Sequence, residues 1–207
     1  TLLNEMKTCQ RTRNLLEMRR IHAHVVEEDL ENDAYIATSL ITTYAKCGSI
    51  SDAHSVFENM KDRNVVSWTA IIAGYACQGK SELVFHMFEK MQEENVEPDG
   101  IVLLIVLTVC RYGGHVDKGR KYFEALSNKS SPLLTIDHYN CMLDLLSRAG
   151  LLNEAIDFLD STPCETNIEG WTSLLTHCKE NGNATLGKQC FGHLFEVDQA
   201  HSIRISN

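Results

Sequence analysis

The sequence predicts an all-α protein, a solenoid of helix-turn-helix repeats. Three observations predict it. A glycine recurs at Gly48, Gly79, Gly114, Gly150 and Gly182, in steps of 31, 35, 36 and 32 residues. Columns of mostly apolar residues keep a fixed offset from it. Nine residues on stand Phe57, Phe88, Phe123, Leu159 and Phe191, and twelve on stand Met60, Met91, Leu126, Thr162 and Leu194. Eleven residues before it stand Ala37, Trp68, Leu103, Tyr139 and Trp171. Third, apolar residues on either side of each glycine recur at roughly helical spacing. A sustained period in this range marks units that cannot bury their apolar faces alone and must stack.

The units come in order. Residues 1–33 form a first unit without its opening residues, followed by 34–64, 65–99, 100–135 and 136–167; 168–201 is another, and 202–207 begins something further. Both ends therefore fall inside repeats, and the chain reads as a piece of a longer protein. Unit 65–99 shows the pattern best. Val66, Ile71, Ile72 and Tyr75 give its first helix apolar positions, Gly79 breaks the chain, and Ser81 is placed to cap the second helix. Leu83, Val84, Met87, Phe88 and Met91 mark that helix, and Pro98 ends the unit because the residue before a proline is pushed out of the α region. Ala53 and Ala155, five residues after the marker, predict close helix packing in two units.

Composition bounds the function. With 207 residues and 43% hydrophobic content the chain has enough apolar mass for a substantial core. Its longest apolar run, residues 101–109, is too short to span a bilayer, so no membrane is expected. The net charge is −9, which argues against strong nonspecific binding to phosphates. The charge is uneven: Arg111, Lys118, Arg120, Lys121 and Lys129 face only Asp117 and Glu124 within 100–135. The eight cysteines form no CxxC pair, and Cys9, Cys110 and Cys178 occupy equivalent repeat positions, as small buried residues would.

A period near 34 fits two families. Tetratricopeptide repeats hold a constant length and an early Trp, Leu-Gly and Tyr pattern, neither of which is kept here. The alternation of lengths instead resembles plant pentatricopeptide repeat proteins of the PLS class, which mix standard, long and short repeats. Residues 44–57, YAKCGSISDAHSVF, look like a short repeat, and VVSWTAIIAGY from Val65 looks like a standard one. Residues 100–135, with GHVDKGRKYF, look long, as does the first unit with Arg20-Ile-His-Ala-His. HYNCMLDLLSRAGLLNEAIDFL looks like the last short repeat of such arrays, and WTSLLTHCKENGNATLGKQC like the E motif that comes after it.

The resemblance implies a right-handed superhelix that binds single-stranded RNA in chloroplasts or mitochondria, about one base per repeat, as part of a C-to-U editing factor. Splicing or stability factors of the same family, and a tetratricopeptide-like protein scaffold, are the alternatives. It further implies that the fifth and last residues of a repeat read the base. That assigns Thr38 with Asn64 to adenine, Thr69 with Asp99 to guanine, and Asn140 with Asn167 to cytosine. The long units offer Leu3 with Asp33 and Leu104 with Thr135, where an aliphatic fifth residue cannot hydrogen-bond a base. Tyr35, Val66 and Ile101, each second in its unit, would pack against bases; Asp137 departs from that pattern. The implied core is 5′-N-A-G-N-C-3′. Thr and Asp at such places also serve as helix caps and turn residues.

No catalysis, cofactor or metal is expected. The H-x-E and P-C-x-x-C signature of a zinc deaminase is absent, and His22 and His24 do not share a helical face. A deaminase or editing co-factor would join in trans through the E motif or come later in a longer chain. A monomer is expected, with exposed repeat ends as the route to a dimer.

Overall fold

The computed structural model describes residues 2–127, 134–162 and 168–205. Among the described residues stand twelve α-helices and no strand: α1 (Leu2–Thr12), α2 (Leu15–Glu27), α3 (Ala34–Lys46), α4 (Ile50–Asn59), α5 (Val65–Cys77), α6 (Ser81–Glu93), α7 (Gly100–Gly113), α8 (Val116–Ser127), α9 (Ile136–Arg148), α10 (Leu152–Asp160), α11 (Ile168–Glu180) and α12 (Ala184–Ile205). Odd-numbered helices open the repeats and even-numbered helices close them. The all-α solenoid class expected from the period is the class observed. The chain divides into two compact units, Thr1–Val109 and Cys110–Asn207.

In the first unit α3 packs on α1, α4 and α5, and α5 packs on α4 and α6. The opening helices thus lie side by side. Two of them begin at a polar cap that answers orphan backbone N–H groups: Asp33 for α3 and Asn64 for α5. The five marker glycines all take positive φ, from 66° to 87°. At Gly79 that left-handed turn, with Lys80 N–H reaching the Tyr75 carbonyl, ends α5 and reverses the chain. Arg13, at φ 52°, makes the equivalent turn between α1 and α2 without a glycine, which hid this repeat from a search for glycine alone.

The apolar columns form the core. Phe57 and Trp68 are fully buried and meet edge to face with centroids 4.7 Å apart. Burying each such ring contributes about 1.5–3 kcal/mol, and the pair geometry about 0.5–1.5 kcal/mol more. Ala53 and Ala155 are buried where helices approach, and Cys9, Cys110 and Cys178 are buried as expected. A second feature has no counterpart in the sequence pattern. Tyr44 Oη lies 2.9 Å from His22 Nδ1, and Tyr75 Oη lies 3.0 Å from His54 Nδ1. Each pair fastens the closing helix of one repeat to the opening helix of the next.

In the second unit α9 packs on α8, α10 and α11, and α11 packs on α10 and α12. Leu143, Leu146, Leu159, Trp171, Leu174 and Cys190 form its core.

Three expectations are corrected. Phe191 does not continue the Phe57 column: it is 63% exposed, and Cys190 beside it is buried instead. α12 begins two residues after Gly182, as the other closing helices begin two residues after their marker glycines, so the shift lies in how α12 packs on α11. Ser81 is not a cap; it is the first residue of α6, and Lys80 precedes it without a side-chain cap bond. Leu83 is exposed rather than part of the apolar face of α6. The side chain of Leu126, also in a column, lies outside the described residues.

Candidate nucleic-acid interface

The sequence-predicted residues of the first unit converge at the start of the opening helices. Asn64 Oδ1 accepts the N–H groups of Val66 and Ser67 at 3.0 and 3.1 Å, while its own N–H donates to Ser67 Oγ at 3.1 Å. This reciprocal arrangement is a capping box. Only an oxygen can accept those two protons, so the exposed amide Nδ2 is left with donor capacity. Asp99 is placed in the same way before α7: one carboxylate oxygen accepts Val102 N–H at 2.9 Å. Its second oxygen retains acceptor capacity.

Thr38 and Thr69 sit one turn into α3 and α5. Neither is a cap. Each hydroxyl donates to the carbonyl four residues back, Ala34 and Val65, at 2.7 Å. With the proton committed to the helix, each threonine offers a lone pair.

Thr38 and Asn64 line one groove of about 380 Å³ with Tyr35, Thr42, Val66 and Gln10. Tyr35 and Val66 are 67% and 59% exposed. Ile101, the corresponding residue of α7, is 62% exposed. Large apolar side chains left in water at one repeat position, beside the half-buried Thr38 and the exposed Asn64, suit a flat apolar ligand with a polar edge. Thr38 and Asn64 are the fifth and last residues of one repeat, and the apolar walls, Tyr35 and Val66, come from that repeat and the next.

The long-repeat positions differ as the sequence implies. Leu3 and Leu104 are half-buried and offer no hydrogen bond. Asp33 serves as a cap, its Oδ1 accepting Tyr35 and Ile36 N–H, both at 2.9 Å. In the second unit Thr135 precedes α9 with its N–H donating to His138 Nδ1 at 3.0 Å. Asn140 is half-buried near the start of α9, and Asp137 is exposed. Asn167 lies outside the described residues, so the structure does not test its pairing with Asn140.

Sequence reading missed the opposite ends of the opening helices. Arg11, Lys46, Arg111 and Arg148 stand in the last turns of α1, α3, α7 and α9. Lys46 Nζ is held by a neutral partner, Gln10 Oε1, at 3.2 Å. In the second unit Asp144 is met by two arginines and a histidine: Arg148 Nε at 2.7 Å, His177 Nε2 at 2.9 Å and Arg111 Nε at 3.6 Å. Burial raises the Asp144 pKa, but hydrogen bonds from Arg148 and His177 and the neighbouring guanidinium charges outweigh it. The carboxyl stays below its ordinary range. The signal for this column was available: three of its residues, Arg11, Lys46 and Arg148, stand two places before the turn residue.

The buried phenol of Tyr44 is pushed up to about 12 by desolvation, so it remains a neutral hydrogen-bonding group. The Cys110 and Cys190 thiols are likewise pushed up to about 12, chiefly by burial, which makes them poor nucleophiles and ligands. Among the described residues no group of three or more His, Cys, Asp or Glu is placed to hold a metal ion. Among them, no helix is long and apolar enough to cross a membrane.

Comparison with known proteins gives the same picture. Residues 63–111 match a model described as the PPR repeat family, and residues 35–65 and 137–161 match a PPR repeat model. Three pentatricopeptide repeat-containing proteins of Arabidopsis thaliana are similar over most of the chain. One is 35% identical over 97% of this chain and 27% of its own length. A chloroplastic one is 35% identical over 86% of this chain and 24% of its own length. A mitochondrial one is 31% identical over 95% of this chain and 28% of its own length. The chain thus spans about a quarter of the length of these relatives. Among solved structures, the pentatricopeptide repeat protein PPR10 from maize superposes with a TM-score of 0.68 at 19% identity, over 94% of this chain and 29% of that one. PPR10 in complex with an 18-nt psaJ RNA element superposes at 0.59 and 18% identity, over 97% and 32%.

Proposed function

This chain belongs to the pentatricopeptide repeat family, and we propose that it binds single-stranded RNA through the starts of its opening helices, one base to each groove between adjacent repeats. The observation that carries this reading is the groove itself: Thr38 and Asn64 face one space, flanked by exposed Tyr35 and Val66. An unstacked base has two apolar faces and a polar edge, and the groove offers the matching surfaces.

The donor and acceptor pattern supports the assignment of bases. Thr38 offers an acceptor and Asn64 a donor, which complements the N6 amino group and N1 of adenine. Thr69 offers an acceptor and Asp99 a second acceptor, which complements the N1–H and N2 amino groups of guanine. Leu3 and Leu104 offer neither, so the long repeats accept any base. Asn140 with Asn167 is assigned cytosine by family resemblance alone. The core remains 5′-N-A-G-N-C-3′. The cations in the last turns, Arg11, Lys46 and Arg148, are suited to backbone phosphates.

The finer role we assign is recognition in organellar C-to-U editing, in a chloroplast or mitochondrion. Support comes from the resemblance of 168–201 to an E motif, which would receive a deaminase or editing co-factor. The described residues are given no catalysis of their own. A protein-binding scaffold is the competing reading, favoured by the net charge of −9.

Gel-shift titration with the core RNA against a scrambled RNA at moderate salt separates the two. Preference for the core supports RNA recognition, and equal or absent binding refutes the sequence-specific reading. Thr69→Asn should then move the third core nucleotide from guanine towards uracil, with little change in stability.

A further inference from the structure

Tyr112 is the most exposed large hydrophobic residue among those described, at 73%, yet it is held firmly. The Arg111 guanidinium lies over its ring, 4.6 Å from the centroid, and Arg111 Nη2 donates to the Tyr112 hydroxyl at 2.8 Å. Arg111 is itself tethered through Nε to Asp144, whose side chain is only 14% exposed and is also bound by Arg148 and His177. One face of the phenol ring is therefore backed by a cation and the other is open to solvent. The surroundings carry the Arg111 and Arg148 charges against a single central carboxylate, with Glu180 beyond His177 at 3.2 Å.

A rigid aromatic ring with a free face, set among arginines, is what a nucleobase stacks on without being read. Tyr112 stands where other repeats place Lys46 and Arg148, so a ring replaces a cation at this position. It is also the repeat in which Leu104 cannot hydrogen-bond a base.

We infer that Tyr112, backed by Arg111, is a stacking platform for a base of bound single-stranded RNA, supplying affinity in the long repeat 100–135 independently of base identity. This rests on the RNA-binding reading above. Its chemistry is non-covalent throughout, and the ligand is any unpaired nucleotide, purines stacking over the larger area.

The test is a double-mutant cycle on the whole chain, read by fluorescence anisotropy with labelled core RNA. Wild type and Tyr112→Ala are each titrated with the intact core and with an RNA abasic at its fourth nucleotide. The expected result is a five- to hundredfold loss for Tyr112→Ala with intact RNA, the same for all four bases at that nucleotide, and almost none with the abasic RNA. Tyr112→Phe, which keeps the ring but loses the Arg111 bond, should retain most of the affinity. Equal losses with intact and abasic RNA, or no loss, overturn the platform. A protein partner at this face would give that same negative result while wild type still prefers the core. Failure of wild type to prefer the core would instead overturn the RNA reading itself. Thermal unfolding of Tyr112→Ala should match wild type, because the side chain is exposed.

Discussion

Asn64 does two jobs with two atoms, and substitutions can separate them. Oδ1 closes the start of α5 through Val66 and Ser67 N–H, and Nδ2 is the atom left for a base. Asn64→Ala removes both. Losing a cap of this kind costs about 1 kcal/mol, within a range of roughly 0.5–2. For a chain of this size that lowers the melting temperature by about 2–4 °C. Asn64→Asp keeps the cap, since Asp and Asn are near-equal at this position, so stability should stay within a few tenths of a kcal/mol, roughly the scatter between equivalent caps. It replaces the donor with an acceptor. Preference at the second core nucleotide should then move from adenine to guanine, with discrimination of about 1–3 kcal/mol, or roughly five- to hundredfold. Overall affinity should fall somewhat, because a negative charge joins an already acidic chain. Circular-dichroism melts and anisotropy competition with four RNAs differing at that nucleotide measure both effects. If the Asp variant melts as early as the Ala variant, the cap assignment is wrong. If it melts like wild type but still prefers adenine, the base does not meet this atom.

Two further predictions concern the scaffold. Gly74 lies where α5 meets its neighbours: a Cβ there would sit 2.9 Å from Ile50 Cδ1 and 3.0 Å from Ala45 Cβ, and the second of these cannot rotate away. Gly74→Ala should destabilise the first unit by about 1–3 kcal/mol, read in urea unfolding; an unchanged midpoint would show that α3 and α5 can separate freely. Stability should also fall on acidification in two windows. His22 has its pKa lowered, first by burial, so the unfolded chain takes up a proton that the folded chain resists as pH falls below about 6.5. Asp144 has its pKa lowered, so its contribution, present above the ordinary aspartate value of about 3.8, is lost as pH falls through the folded value. Glu58, held low chiefly by its hydrogen bond with Lys90, contributes to the same acid window, so Asp144→Asn should shrink the second window and leave the first, a pattern that melts at stepped pH would check.

Much of this molecule was legible in the sequence because its regularity is the signal. The glycine markers required positive φ and all five have it. Ala37, Trp68 and Leu103 had to be inside for the helices to pack, and they are. The candidate readers came from the family resemblance, which names the fifth and last positions, and the repeat spacing supplied only the register that located them. What escaped depends on partners instead. Arg13 makes a left-handed turn without glycine, which no single-residue rule anticipates. The shift from Phe191 to Cys190 lies in how α12 packs on α11, since the turn before it has the same length as the other glycine turns. The cluster around Asp144 joins α7, α9 and α11, and such contacts across 33 residues show only once helices are placed.

The paired bonds of His22 with Tyr44 and His54 with Tyr75 have a consequence for where the chain can be cut. They cross the borders between sequence repeats, not the glycine turns within them. Hydrogen bonding thus ties a closing helix to the opening helix after it, across the border that the packing within each hairpin does not bridge. Shortening or splicing such arrays at repeat borders severs a tyrosine from its histidine, leaving a buried phenol without its partner. Cutting within the glycine turns, after Gly48 or Gly79, keeps each latch whole. Where a junction is placed in this array therefore decides which contact it severs: the packing within a hairpin at a glycine turn, or the tyrosine–histidine bond at a repeat border.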